Sequence, residues 1–258
     1  MTPLVLIPGM MCDARLFGPQ IAAFSGWRTL VCMPIVGRAS VKDLAADVLA
    51  NAPKRFALAG LSMGGIVAME VLRQEPKRVD RIALMDTNPL AEDDQIKALR
   101  LPQMVKVRAG ALGTVMRDEM KPHYLSETPQ RQSILDLCME MALSLGPHVF
   151  LDQSRALMDR PDQTDILRIL DVPSLILCGR DDALCPVSRH ELMAALIPKE
   201  PAEVDRMIVA TLDQLDKGTA RRTIARLAAA WARGDMAELT QYERWCECVL
   251  DETDRKLM

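Results

Sequence analysis

The run Gly60-Leu61-Ser62-Met63-Gly64-Gly65 stands between a short apolar stretch at 56–59 and a helical apolar pattern at 66–72. A serine between two glycines at a strand-to-helix turn reads as a nucleophile elbow. The backbone must reverse there within a few residues. The flanking positions Gly60 and Gly64 therefore need side chains small enough not to collide. The serine hydroxyl is then exposed above a sheet, at a helix N-terminus whose free N–H groups favour developing negative charge. Such a turn needs a strand before it, a helix after it and a sheet to hold the strand.

The rest of the chain supplies these parts. Leu4–Ile7 is a continuous apolar run closed by Pro8-Gly9, as expected of a buried parallel strand, with Met10, Met11 and Cys12 following as a loop. A helix is expected over 16–24, a second strand over 29–33, and a helix from the N-cap Ser40 to Ala52. The third strand leads into the elbow, and a fourth at 82–85 ends at Asp86. Between 90 and 168 the strand signal disappears, and 95–109, 130–145 and 149–157 carry apolar residues at helical spacing. A fifth strand at 174–178 then runs into Gly179-Arg180-Asp181-Asp182, with Pro186 and a helix over 191–196 beyond. This alternation predicts a parallel sheet of about five strands with helices on both faces. Ligands of such sheets gather outside the carboxyl ends of the strands. Pro8-Gly9-Met10, Ser62 with Met63, and Asp86 all fall at that edge.

Composition narrows the partners. A formal net charge of −3 over 258 residues gives no reason to expect nucleic acid or an anionic membrane surface. No apolar stretch approaches the roughly 18 residues of a membrane span, and no cationic segment precedes the first apolar run. The expectation is a soluble, cytoplasmic chain. Its seven cysteines form no spaced framework, so they read as reduced thiols. Cys246-x-Cys248 lacks a histidine or a second pair nearby, which argues against a metal. No cofactor is expected.

The pattern Leu4-Val5-Leu6-Ile7-Pro8-Gly9, then Gly60 to Gly65, then Gly179-x-x-Asp182 with Pro186, resembles the α/β-hydrolase family over residues 1–198. The resemblance implies Ser62 as nucleophile, the backbone N–H groups of Met10 and Met63 as oxyanion donors, and Asp182 as the triad acid. It also implies a core at 1–89 and 169–198, a helical cap at 90–168 lying over the carboxyl edge as a lid, and a small acyl ester or thioester as substrate. The chain opens at what would be the family's third strand. Asp86 and Asp181 are weaker candidates for that acid and read first as turn and cap residues.

The pattern breaks at the base. A serine hydroxyl is a poor nucleophile at neutral pH without one, and the family's order is serine, acid, then histidine in a loop after one more strand. The chain has three histidines, His123, His148 and His190, and none lies beyond His190. His190, at the start of a helix behind the acid loop, reads as a solvated surface residue. His123 and His148 lie in the cap and are the weak candidates for a substitute base. Two functional expectations stand side by side: a serine hydrolase impaired by the missing histidine, and a non-catalytic α/β-hydrolase-like module that binds a small ligand or a protein.

Composition changes across Pro198-Lys199-Glu200-Pro201. The extension at 199–258 is rich in charge and reads as three amphipathic helices. Met207 to Val209 is open to a strand reading, but the longer helical period favours helix. The stretch around Ala228-Ala229-Ala230-Trp231-Ala232-Arg233-Gly234-Asp235 resembles a fragment of the TraB/GumN family over 202–258. This suggests a hydrolase lacking its last strand, joined to a helical fragment of another protein. Without that strand, 174–178 becomes a sheet edge. The edge would be covered by a tail helix, or would pair with a second copy in a homodimer formed through the edge or the tail helices.

Overall fold

A computed structural model describes residues 2–127 and 129–198 and the strand at 208–209. Its centre is a parallel sheet in the order β2-β1-β3-β4-β5-β6. The strands are β1 (Leu4–Ile7), β2 (Leu30–Cys32), β3 (Phe56–Leu61), β4 (Val79–Met85), β5 (Ser174–Cys178) and β6 (Ile208–Val209). All four residues of β1 are buried, which is why it reads as unbroken apolar sequence rather than as an alternation. Successive residues of β1 serve opposite faces. Val5 and Ile7 join Leu58, Ile82, Leu84 and Ile176 in one core. Leu4 and Leu6 join Ala57, Ala59, Ala83 and Leu175 in the other.

Helices α1 (Gly18–Phe24), α2 (Val41–Asn51) and α3 (Met63–Gln74) connect the first four strands. Phe24 of α1 packs on the second core, whereas α2 and α3 build the first. Ser40 caps α2, its hydroxyl accepting from Asp43 N at 3.1 Å, as the serine predicted.

The segment between β4 and β5 is helical, as its periodicity predicted. It holds α4 (Asp94–Arg108), α5 (Leu112–Thr114) with a wide turn over Val115–Met120, α6 (Arg131–Met158) and α7 (Thr164–Arg168). Helix α6 merges the two stretches expected at 130–145 and 149–157. By length and hydropathy it is one helix, among the described residues, apolar enough to cross a membrane, which the sequence reading had not anticipated. Gly146, at φ 82 and ψ 177, breaks it ahead of Pro147. Neither half reaches the roughly 20 residues of a span, and Phe150, Ala156 and Leu157 are buried in the first core. A cavity of about 350 Å³ lies within this segment, lined by Leu101, Met104, Val105, Arg108, Arg155 and Met158 among others, and no elbow residue reaches it. Helix α8 (Val187–Leu196) follows β5 and buries Met193 in the first core.

The five expected parallel strands are present, and β6 extends the sheet where helix had been favoured. It pairs in parallel with β5, Ile208 opposite Leu177 and Val209 opposite Cys178. The carboxyl half of β5 is therefore not the bare edge expected from sequence. Two β-branched residues meet a ladder of unpaired N–H and C=O groups, and that local demand outweighs a helical period read over a longer window. The remainder of 199–258, with the helical stripes, Cys246, Cys248 and the TraB/GumN-like stretch, lies outside the described residues.

Candidate active site

Ser62 is the single residue between β3 and α3, at φ 54 and ψ −118. Its backbone is held on both sides. Ser62 N donates to Met85 O at 2.8 Å, and Ser62 O accepts from Gly65 N at 2.9 Å and from Thr87 Oγ1 at 2.7 Å. A serine at a helix start usually turns its hydroxyl back to cap the helix, but Ser62 forms no such bond. The hydroxyl is left to project from the turn, and the residue is only partly buried.

The glycines explain how the turn closes. A Cβ on Gly60 would lie 2.3 Å from Gly64 O, and one on Gly64 would lie 2.1 Å from Ile7 O. The end of β1, the end of β3 and the first turn of α3 thus meet backbone to backbone. The same closeness brings the loop after β1 to the serine, since a Cβ on Gly9 would stand 3.5 Å from Ser62 Cβ. That loop is fixed from above. Met11, at φ 56, donates its N–H to Gln153 Oε1 at 2.8 Å, and Gln153 Nε2 donates to Ile35 O at 2.8 Å. Met10 lies next to Gly9 in this pinned loop. Met63 N, at the first helical position, has no intrahelical acceptor.

Two carboxyl groups lie close together at the ends of β4 and β5. Asp182 follows a turn closed by its N–H on Gly179 O, and its Oδ1 accepts from Leu184 N and Cys185 N, both at 2.8 Å. Asp86, at φ 43, continues β4 one residue past Met85, which pairs with Leu61. This puts Asp86 beside Ser62 in the sheet register. Asp86 Oδ1 accepts from Gly179 N at 2.9 Å, and Asp182 lies close enough to act on its carboxyl. Burial pushes Asp86 up to about 6; the neighbouring Asp182 adds to the rise and the Gly179 N–H opposes it. Asp86 is therefore more than the turn residue its sequence suggested. Its position just past a strand end beside the elbow was the available signal. Burial, followed by these carboxyls, also pushes the Cys178 thiol up to about 11 and the Cys185 thiol to about 12. Neither is an alternative nucleophile at neutral pH.

The histidines are disposed otherwise than expected. His190 is fully buried rather than solvated. Its Nε2 accepts from Thr87 N at 3.1 Å, and Nδ1 faces Pro186 O at 3.4 Å. These partners assign a neutral ring protonated on Nδ1, and burial pushes its pKa down. The Nε2 lone pair needed for a base is already taken. His123 and His148 are exposed on the helical segment, and no side-chain hydrogen bond or ion pair ties either to another described residue.

A model of the α/β hydrolase family matches residues 4–244. The chain belongs to the α/β-hydrolase family. The match continues past the compositional junction at 198–201 into the extension. A Yersinia enterocolitica protein provisionally named as a carbamate hydrolase is 23% identical over 212 residues, 76% of each chain. A pimeloyl-[acyl-carrier protein] methyl ester esterase from Pectobacterium carotovorum is 34% identical over 96 residues, 34% of this chain and 38% of that one. Among solved structures, a thermophilic esterase from Thermogutta terrifontis superposes with a TM-score of 0.74 at 24% identity, covering 90% of each chain. In this α/β hydrolase the elbow meets the loop after β1, and the turn after β5 meets Asp86, which lies beside the elbow. The histidine of the family's order has no counterpart after β6, because no histidine follows residue 190.

Proposed function

We propose that the chain is a serine-type acyl hydrolase acting on small esters or thioesters, with turnover held low by the missing triad histidine. The observation that carries this is Ser62 itself, at φ 54 and ψ −118 with its hydroxyl not capping α3. Strain of this kind is kept where a reacting group must be presented. Ser62 Oγ attacks the ester carbonyl, and the tetrahedral oxyanion is met by the Met10 and Met63 N–H groups. Asp182, with Asp86, supplies the acid side of the site, but no imidazole stands between acid and serine. The hydroxyl proton passes to solvent, and the scissile bond breaks as the alcohol or thiol leaves with a proton from water. Water then hydrolyses the Ser62 ester to release the acid. With no base, both steps are slow. Removing the triad serine or histidine of subtilisin costs on the order of 10⁶ in turnover and leaves on the order of 10³–10⁴ over water. The helical segment between β4 and β5 acts as the cap, and Gln153 ties it to the oxyanion loop. Cysteines 12, 32, 138, 178 and 185 carry free thiols, which favours the reducing cytoplasm.

The commitment of His190 to Thr87 favours a second reading, in which the pocket binds a small ligand without turning it over. Hydrolysis of p-nitrophenyl acetate by the full chain separates the two. Release above buffer that is lost in Ser62→Ala supports the hydrolase. Equal rates for the two proteins support the binding module.

A further inference from the structure

Glu92, between β4 and α4, is buried and meets two guanidinium groups. Arg100 Nε reaches Glu92 Oε2 at 2.6 Å, and Arg160 Nη2 reaches Oε1 at 3.0 Å. The side chains of Arg100, Arg160 and Glu92 are 14%, 6% and 5% exposed, so the cluster is largely withdrawn from water. One carboxylate faces two guanidiniums, which leaves one positive charge in excess. Burying such a charge is costly unless something answers it.

The two arginines differ in what else they do. Arg160 also donates Nε to Leu90 O at 2.9 Å, so two of its nitrogens are held. Arg100 gives only Nε to Glu92, and its Nη1 faces Met10 Sδ at 3.8 Å. A thioether is a weak acceptor, and no other described residue accepts from Nη1 or Nη2 of Arg100. A guanidinium matches a carboxylate with two parallel N–H donors. The free end of Arg100 is therefore half of an ion pair, and it abuts Met10, whose own N–H is assigned to the oxyanion. A Cβ on the preceding Gly9 would stand 3.5 Å from Ser62 Cβ. Arg100 and Ser62 therefore meet the same short loop, at Met10 and Gly9 respectively.

We propose that Arg100 receives a carboxylate carried by the substrate, so that half-esters of short dicarboxylic acids are taken ahead of neutral esters. The proposal rests on the reading of Ser62 as nucleophile for the position of the scissile bond, but not for the binding of the acid.

The test uses full-length protein and titrates malonate, succinate and glutarate at constant ionic strength, with glutaramide as the neutral control. At least one acid binds and raises the melting temperature, and the diamide does neither. Arg100→Gln weakens that acid on the order of tenfold or more. Glu92 keeps Arg160 in this variant, so the fold should stand, and circular dichroism without ligand checks it. Arg100→Lys keeps the charge but loses the fork, and falls between the two. If Arg100→Gln does not fold, the weakened binding in Arg100→Lys decides. No binding by any acid, equal binding of the diamide, or wild-type affinity in the folded variants overturns the proposal. The bound acid should also slow fluorophosphonate labelling of Ser62, and labelling unaffected by saturating acid overturns it too. Failure of Ser62 to label at all without acid refutes the nucleophile and leaves the arginine to be judged by the titration.

Discussion

Ser62 occupies a backbone conformation that suits glycine, at φ 54 and ψ −118, and its hydroxyl gives the helix no cap in return. Ser62→Gly should therefore stabilise the fold by about 1 kcal/mol. In a chain of this size that raises the thermal midpoint by about 2–4 °C, and a variant no more stable than wild type would contradict the strain. Gly64→Ala acts in the opposite direction, because its Cβ would lie 2.1 Å from the Ile7 carbonyl oxygen. Backbone must move, and the expected loss is about 3 kcal/mol, read by urea unfolding. Asp86 makes stability depend on pH. Its carboxyl titrates near 6 in the fold against 3.8 in the open chain, so the native state holds a proton that the unfolded chain has released. Stability from this group falls as pH rises from about 4 through about 6. Asp86→Asn keeps an acceptor for Gly179 N and can donate to Asp182. It should match wild type at pH 4 and exceed it at pH 8 by on the order of 1–3 kcal/mol. The depressed pKa of His190 gives the opposite slope, so stability of the variant should rise with pH below about 6.5.

Elements rather than single residues decide what the sequence could reveal. Strands β1, β3 and β5 were legible because both faces are buried, and burial on both faces requires unbroken apolar sequence. The three stretches of helical spacing in the inserted segment, which form α4 and the two halves of α6, were legible for the corresponding reason, whereas the short α5 and α7 were not. Strand β6 was not, because two residues carry no period and only the edge of β5 gives them a partner. His190 was misplaced because one side chain has no period either. Its burial depends on α8 docking against the segment after β4, a contact between residues 103 positions apart. That docking is testable. His190→Ala leaves the buried Thr87 N–H without its acceptor and should cost about 2–3 kcal/mol by chemical denaturation. Labelling of Ser62 should be unchanged in it, whereas abolished labelling in a folded variant would make His190 the base.

At the scale of the whole molecule the fold and the chemistry part company. The elbow, the loop after β1 and the turn before Asp182 are local backbone features, each written in a few glycines or an Asx turn, so their places in the fold could be read in the chain. The base is a long-range property, because it depends on where one ring nitrogen stands relative to one hydroxyl. Sequence showed only that no histidine follows residue 190, and the fold adds that the nearest one in the order is bound to Thr87. The central claim is thus a built nucleophile without its base. Fluorophosphonate labelling of the full-length protein, followed by mass spectrometry of the modified peptide, addresses it directly. The account predicts slow modification, confined to Ser62 and absent from Ser62→Ala. Fast, stoichiometric labelling of Ser62 would contradict the missing base, and labelling that persists in Ser62→Ala would contradict the nucleophile.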